Sequence, residues 1–123
     1  MDVTSRQFGT AVVVTPAGRA DQAGAAALET ALEPWWSQPD VHALVLDFSG
    51  VAYISSVGLR VLMIAAKKMR ARHARIAVAN LQPVVAEIFS ISRFDKVLEV
   101  FAASRDALAV LAPAALPAFD GTR

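Results

Sequence analysis

The chain has no cysteine, which excludes a disulfide framework and any thiolate metal site. It has only two histidines, His42 and His73, well apart in sequence, so a histidine-rich metal centre is not expected. It lacks long apolar runs: Val61 to Ala66 is six residues, far below the ~20 needed to cross a bilayer. It lacks a charge surplus, with 12 Lys and Arg against 11 Asp and Glu, and the resulting net charge of +1 argues against a dedicated nucleic-acid binder. The first residues, MDVTSRQFGT, have neither the basic start nor the apolar middle of a secretory leader, so none is expected. What is present is 123 residues, 55% of them apolar, with a mean hydropathy of +0.45. That suffices for one domain with one real core and rules out a disordered chain. The expectation is a small, soluble, cytoplasmic domain that needs neither metal nor cofactor.

Along the chain, Thr10 to Thr15 is a β-branched run closed by Pro16-Ala17-Gly18, and Val3 to Phe8 can pair with it through a turn at Gly9. Asp21 is placed to cap a helix in which Ala25, Leu28, Ala31 and Leu32 recur at helical spacing up to Pro34, Trp35 and Trp36. His42 to Phe48 is almost wholly apolar, as in a strand buried on both faces of a parallel sheet, and Val51 to Ile54 extends or follows it. Ser56 to His73 carries the strongest helical pattern, with Leu59, Leu62, Met63, Ala66 and Met69 on one stripe. Arg75 to Ala79 reads as a strand, Pro83 opens a further helix, and Val97 to Phe101 reads as the last strand. Ser104 is placed to cap a short helix ending at Leu111. The alternation predicts an α/β domain over residues 1–111: a mixed sheet of about four to five strands with about four α-helices packed against it. The Ala- and Pro-rich stretch 112–123 is expected to be a frayed tail.

The most informative segment is Asp47 to Leu62, DFSGVAYISSVGLRVL. A buried strand runs into a turn, and the turn presents Ser55 and Ser56 at the start of an amphipathic helix, where either can cap the free N–H groups of the first turn. Gly58 permits another backbone to come close there. On the helical wheel Ser56, Arg60 and Lys67 fall within about 40° of one another, opposite the Leu59 stripe, with Val57, Val61 and Ile64 flanking them on the outward side, either as part of a docking patch or covered by a neighbouring helix or the tail. From Phe48 to Ala86 there are six cations, Arg60, Lys67, Lys68, Arg70, Arg72 and Arg75, and no acidic residue. Most sit at the C-terminal end of the helix, where they complement its dipole, so a solvated face is expected rather than a nucleic-acid surface.

The motif Tyr53-Ile54-Ser55-Ser56-Val57-Gly58-Leu59-Arg60 resembles that of the STAS family, and specifically of the bacterial anti-sigma factor antagonists. Gly18-Arg19-Ala20-Asp21 is similar to that family's turn before the first helix, and Asn80 to Val97 to its third helix and the turn after it. The resemblance covers about residues 3 to 111. It implies a single STAS-like domain that is not an enzyme. Unphosphorylated, it would bind an anti-sigma factor with serine kinase activity and so release the sigma factor. Phosphorylation would switch it off, and a serine phosphatase would reset it. Matched by position, the acceptor is Ser56; the family's frequent Asp before it is Ser55 here, which makes Ser55 the fallback. The partner-binding set comprises Asp21, Ser55, Ser56, Val57, Gly58, Arg60, Val61 and Ile64. With the balanced charge and short apolar runs, no direct nucleic-acid contact and no membrane span are expected, and the chain is expected to be a monomer or weak dimer.

Two other readings remain open at this stage. One is a non-switching STAS subunit of a lipid-transport or signalling complex, in which the serine is structural. The other is a serine hydrolase, but that chemistry needs Gly-x-Ser-x-Gly, and Ile54 stands two residues before Ser56. His42 precedes the serine in an expected buried strand, and His73 lies ~25 Å down the helix, so neither is positioned as its base.

Overall fold

The computed structural model describes residues 1–122. Six strands and five α-helices follow in the order β1 (Asp2–Phe8), β2 (Ala11–Ala20), α1 (Gln22–Trp36), β3 (Ala43–Asp47), β4 (Gly50–Ile54), α2 (Ser56–Ala71), β5 (Arg75–Ala79), α3 (Pro83–Ile91), β6 (Glu99–Phe101), α4 (Ser104–Leu111) and α5 (Leu116–Gly121). Short 3-10 turns lie at Phe94–Lys96 and Pro113–Ala115. The sheet order is β1-β2-β3-β5-β6, with β4 pairing β2 off this path. Only the β1–β2 hairpin is antiparallel, and Gly9 at φ 64° makes its turn. The mixed α/β layer is as the pattern predicts. The extra strand is β4, which the Phe48–Ser49 corner separates from β3.

β2 is forked. Its first half, Ala11 to Val14, pairs β3, and its second half, Ala17 to Ala20, pairs β4. The register shifts between Gly18 and Arg19, where Gly18 adopts φ 121°. That conformation is open to glycine and strained for any other residue. Tyr53 of β4 lies beneath the Arg19 guanidinium, 4.6 Å from its ring centre.

Residues alternate between two cores, as period-2 geometry demands. Val12, Val14, Leu44, Leu46, Ile76 and Val78 face one side, under Leu28, Leu32, Leu62, Ala66 and Met69 of α1 and α2, with Val85 and Phe89 of α3 in the same cluster. Ala11, Val13, Ala43, Val45 and Ala77 face the other side, under Ala107 and Leu108 of α4. The central strands β3 and β5 and the first half of β2 are thus buried on both faces, which explains their nearly unbroken apolar runs. Trp36 is buried at the rim of the first core, while Trp35 is half-buried and donates from Nε1 to Ser5 Oγ at 3.4 Å.

Several expectations are corrected. Residues 112–122 are not frayed: the second 3-10 turn and α5 carry Ala115, Leu116 and Phe119 onto the second core, and Phe119 meets Phe8 edge-on at 5.5 Å. Arg105 of α4 holds Asp120 of α5 through two hydrogen bonds of 3.0 Å, and that bond and charge raise the Arg105 pKa. Arg123 lies outside the described residues. The last strand is shorter than expected because Phe94–Lys96 turns before it. Ser104 is not a cap: Ala103 holds that position, and Ser104 is the first helical residue, buried against Asn80. His42 is exposed and precedes β3 rather than lying within it. Among the described residues no helix is long and apolar enough to cross a membrane.

Two predictions follow from packing. Truncation after Leu111 should lower unfolding free energy by about 2–3 kcal/mol in urea titrations, the worth of the apolar burial lost with α5; an unchanged midpoint would return the tail to a frayed state. Gly24→Ala should be far more damaging than an exposed Gly121→Ala. A Cβ at residue 24 would stand 2.0 Å from the Arg19 carbonyl oxygen, a backbone atom that cannot swing away, whereas Gly121 has nothing within 4 Å. A cost of about 3 kcal/mol or more is expected for the former.

Candidate functional site

β2 and β4 end side by side in parallel register, Arg19 opposite Tyr53 and Ala20 opposite Ile54. The helices that follow therefore start together at one edge of the sheet. Asp21 caps α1, its carboxylate accepting from Gly24 N at 3.0 Å. Ser55 caps α2, its hydroxyl accepting from Gly58 N at 3.2 Å. The two turns have the same construction: a polar cap, two residues, then glycine. Gly58 was visible in the sequence as a point of close approach, but its twin Gly24 was missed. The repeated cap-x-x-Gly spacing is the signal that reveals it.

Both glycines are needed because both first turns press on the end of β2. A Cβ on Gly58 would lie 2.7 Å from Ile54 Cγ1 and 3.0 Å from the Ala20 carbonyl oxygen. That same oxygen accepts from Ser55 N at 2.9 Å and from Ser55 Oγ at 2.8 Å. The Ser55 hydroxyl thus donates its proton to the strand and accepts from the helix, and it is half-buried. Ser56, one residue on, is exposed as the first residue of α2. Its backbone N–H and that of Val57 have no intrahelical acceptor, so this end of the helix carries a partial positive charge.

The remaining expected site residues divide. Asp21 is exposed at the same edge, Val57 is 44% exposed and Arg60 is exposed one turn beyond Ser56. Val61 is not on the outer surface: it is 4% exposed, in the core that α1 and α2 share. Ile64 is half-buried against that core. The wheel was right in its spacing but wrong in phase, because α1 lies closer to the Val61 side than periodicity alone reveals. Val57, Arg60, Val61 and Ile64 instead line a shallow depression completed by Glu29 of α1. Gly58 is buried, where it serves the turn.

The run of cations also divides. Arg72 is half-buried and donates from Nε to Trp36 O at 2.9 Å and from an Nη to Val41 O at 2.8 Å. Arg70 donates to Val97 O, and Arg75 pairs Glu99 at 2.6 Å. Half of the apparent basic face is therefore spent on carbonyls and a carboxylate of the chain itself. Arg70 and Arg75 are nonetheless exposed, as are Arg60, Lys67 and Lys68, so all but Arg72 of the six form the solvated face expected. Among the described residues no cluster of three or more His, Cys, Asp or Glu is placed to hold a metal.

The STAS domain family profile matches residues 2–107. BtrV of Bordetella bronchiseptica, named among the anti-sigma factor antagonists, is 42% identical over 74 residues, 60% of this chain and 63% of that protein. The chain thus spans less than two thirds of that relative. The crystal structure of an anti-sigma factor antagonist from Mycobacterium paratuberculosis superposes with a TM-score of 0.78 and 27% identity, over 89% of this chain and 92% of the other. The Bacillus cell fate determinant SpoIIAA in its phosphorylated form superposes with a TM-score of 0.68 and 15% identity, over 99% of this chain and all of that one, a likeness of fold. With the profile spanning nearly every strand and helix described above, the chain belongs to the STAS domain family.

Proposed function

We propose that the protein is an anti-sigma factor antagonist, a binding module rather than an enzyme, and that Ser56 is its phosphorylation switch. The observation that carries the reading is the division of labour between adjacent serines. Ser55 is occupied by Ala20 and Gly58, whereas the Ser56 hydroxyl stands exposed at a helix start. The names borne by BtrV and by the mycobacterial structure support the same direction. The partner would be an anti-sigma factor with serine kinase activity, which supplies ATP and the base. Ser56 Oγ would attack the γ-phosphorus, the bond to ADP would break, and the hydroxyl proton would pass to the kinase. A serine phosphatase would hydrolyse the phosphoester.

The physics of the switch is asymmetric. A phosphoryl group adds about −1.5 to −2 charges. The fold tolerates them, since the free N–H groups and dipole of α2 favour an anion there by roughly 0.3–1 kcal/mol. A partner packed over the hydroxyl would not. Burying an unpaired dianion costs several kcal/mol, and each 1.4 kcal/mol is tenfold in affinity. Val57 beside the serine and the half-buried Ile64 in the depression offer the partner apolar contact, and Arg60 offers charge.

The serines should separate cleanly on mutation. Ser56→Ala should retain stability and partner binding yet accept no phosphate, read by intact mass after incubation with ATP and the cognate kinase. Ser55→Ala should lose about 1 kcal/mol of stability with the cap and still be phosphorylated; phosphate appearing on Ser56→Ala but not on Ser55→Ala would reverse the assignment. Ser56→Asp should weaken partner binding by at least about tenfold in titration calorimetry, and wild-type affinity for that variant would remove the switch.

A further inference from the structure

At the margins of the sheet, β6 is three residues long with its Glu99 already paired to Arg75, and β4 lies against α3. β1 (Asp2–Phe8) is different: seven residues of extended chain, without proline or glycine, with a partner strand on one side only. Unpaired N–H and C=O groups along such an edge are a template for another strand. The hairpin closes through two residues, Gly9 and Thr10, with Phe8 opposite Ala11. In a two-residue turn that closing pair is hydrogen-bonded, and pairs alternate from there. Asp2, Thr4, Arg6 and Phe8 therefore bond to β2, whereas Val3, Ser5 and Gln7 aim their backbone groups outward. Among the described residues, no backbone hydrogen bond reaches those three from outside the hairpin.

The even-numbered side chains lie on the face of the second core, which Phe8 enters. Asp2 and Arg6 are both exposed on that face, and among the described residues neither has an ion-pair partner. Thr4 stands midway between them. Turned about a two-fold axis through Thr4, a second β1 runs antiparallel to the first, with Thr4 opposite its own copy, Asp2 opposite Arg6 and Arg6 opposite Asp2. The same register suits the backbone. Val3 meets Ser5 of the second copy as a hydrogen-bonded pair, made from the groups that point outward. The even residues then form the non-hydrogen-bonded pairs, whose Cα atoms approach to about 4.5 Å. Opposite charges directly across such a pair attract, and Thr–Thr pairs are favourable as well. Neighbouring registers lack this match: an axis at Ser5 sets Arg6 against Thr4 and Asp2 against Phe8, and an axis at Arg6 sets arginine against arginine.

We propose that the protein self-associates through this edge: two copies join β1 to β1 in antiparallel register about Thr4, with two Asp2–Arg6 bridges, uniting the six-stranded sheets. A charge that only guards an edge against association needs one sign. Here both signs are present, at positions that a two-fold axis exchanges. Seven residues a side make a small interface, and its ion pairs are exposed, so the dimer is weak and sensitive to salt. Ser56 and the residues around it lie outside β1, so self-association and the proposed switch use different strands and helices.

Sedimentation of the full-length protein from about 10 μM to about 1 mM at low salt tests this. A monomer–dimer equilibrium that recedes with added salt is expected, with amide exchange slowed at Val3, Ser5 and Gln7 as the dimer forms. Asp2→Arg and Arg6→Asp each place two like-charge pairs across the axis and should weaken association at least about tenfold. Mixed together, the two variants are complementary and should recover it as a heterodimer; the double reversal should recover it alone. Such recovery also shows that each variant is folded. Wild-type protein that stays monomeric throughout, a dimer indifferent to either reversal, or a mixture no better than its components would each overturn the proposal.

Discussion

The carbonyl oxygens of Arg19 and Ala20 are the constraint around which this domain is organised. They end the strand that pairs with β1, β3 and β4, and two helices start against them. Neither helix can begin there with a side chain at its third position, because a Cβ would enter the space of the strand's own backbone. Glycine at 24 and 58 is therefore a steric requirement of the sheet rather than a helix preference; in a helix glycine is otherwise unfavourable by about 1 kcal/mol. The same oxygen of Ala20 takes both donors of Ser55, so cap, strand end and helix start form one hydrogen-bonded unit.

On the proposed reading, this unit lets a modifiable residue coexist with a rigid scaffold. The serine that structure needs and the serine that chemistry would use are neighbours, yet they occupy different environments. One lies against β2, and the other stands where the helix's unpaired N–H groups meet solvent. The positive end of α2 tolerates added negative charge, which lets the surface change while the core does not.

Much of this was legible in the residues, but for identifiable reasons not all of it. The strand Arg75–Ala79 and the hairpin turn at Gly9 follow from β-branching and turn chemistry, which are local. The phase of α2 is not local: periodicity fixes the angle between Val61 and Leu62, but only α1 decides that both are buried. Likewise Ser55 and Ser56 are equal as caps on paper, and the choice is made by Ala20, 35 residues earlier. Arg70, Arg72 and Arg75 read as unpaired charge because their partners, Val97, Trp36, Val41 and Glu99, are remote in sequence. The tail looked frayed from its prolines, yet Phe119 finds Phe8 at the opposite end of the chain.

The bonds from Arg72 add something that the sheet edge alone does not. The guanidinium reaches from the C-terminal end of α2 to the last carbonyl of α1 and to Val41 in the loop beyond it. Together with the attachment at Ala20, this fastens the neighbouring rods at both extremities. They behave as a matched pair cut to common length. Inserting or deleting one residue inside either rod would rotate its far end by about 100° and shift it by 1.5 Å, out of reach of the clasp. Tolerance for such changes is thereby displaced to the exposed segment between Trp36 and Val41.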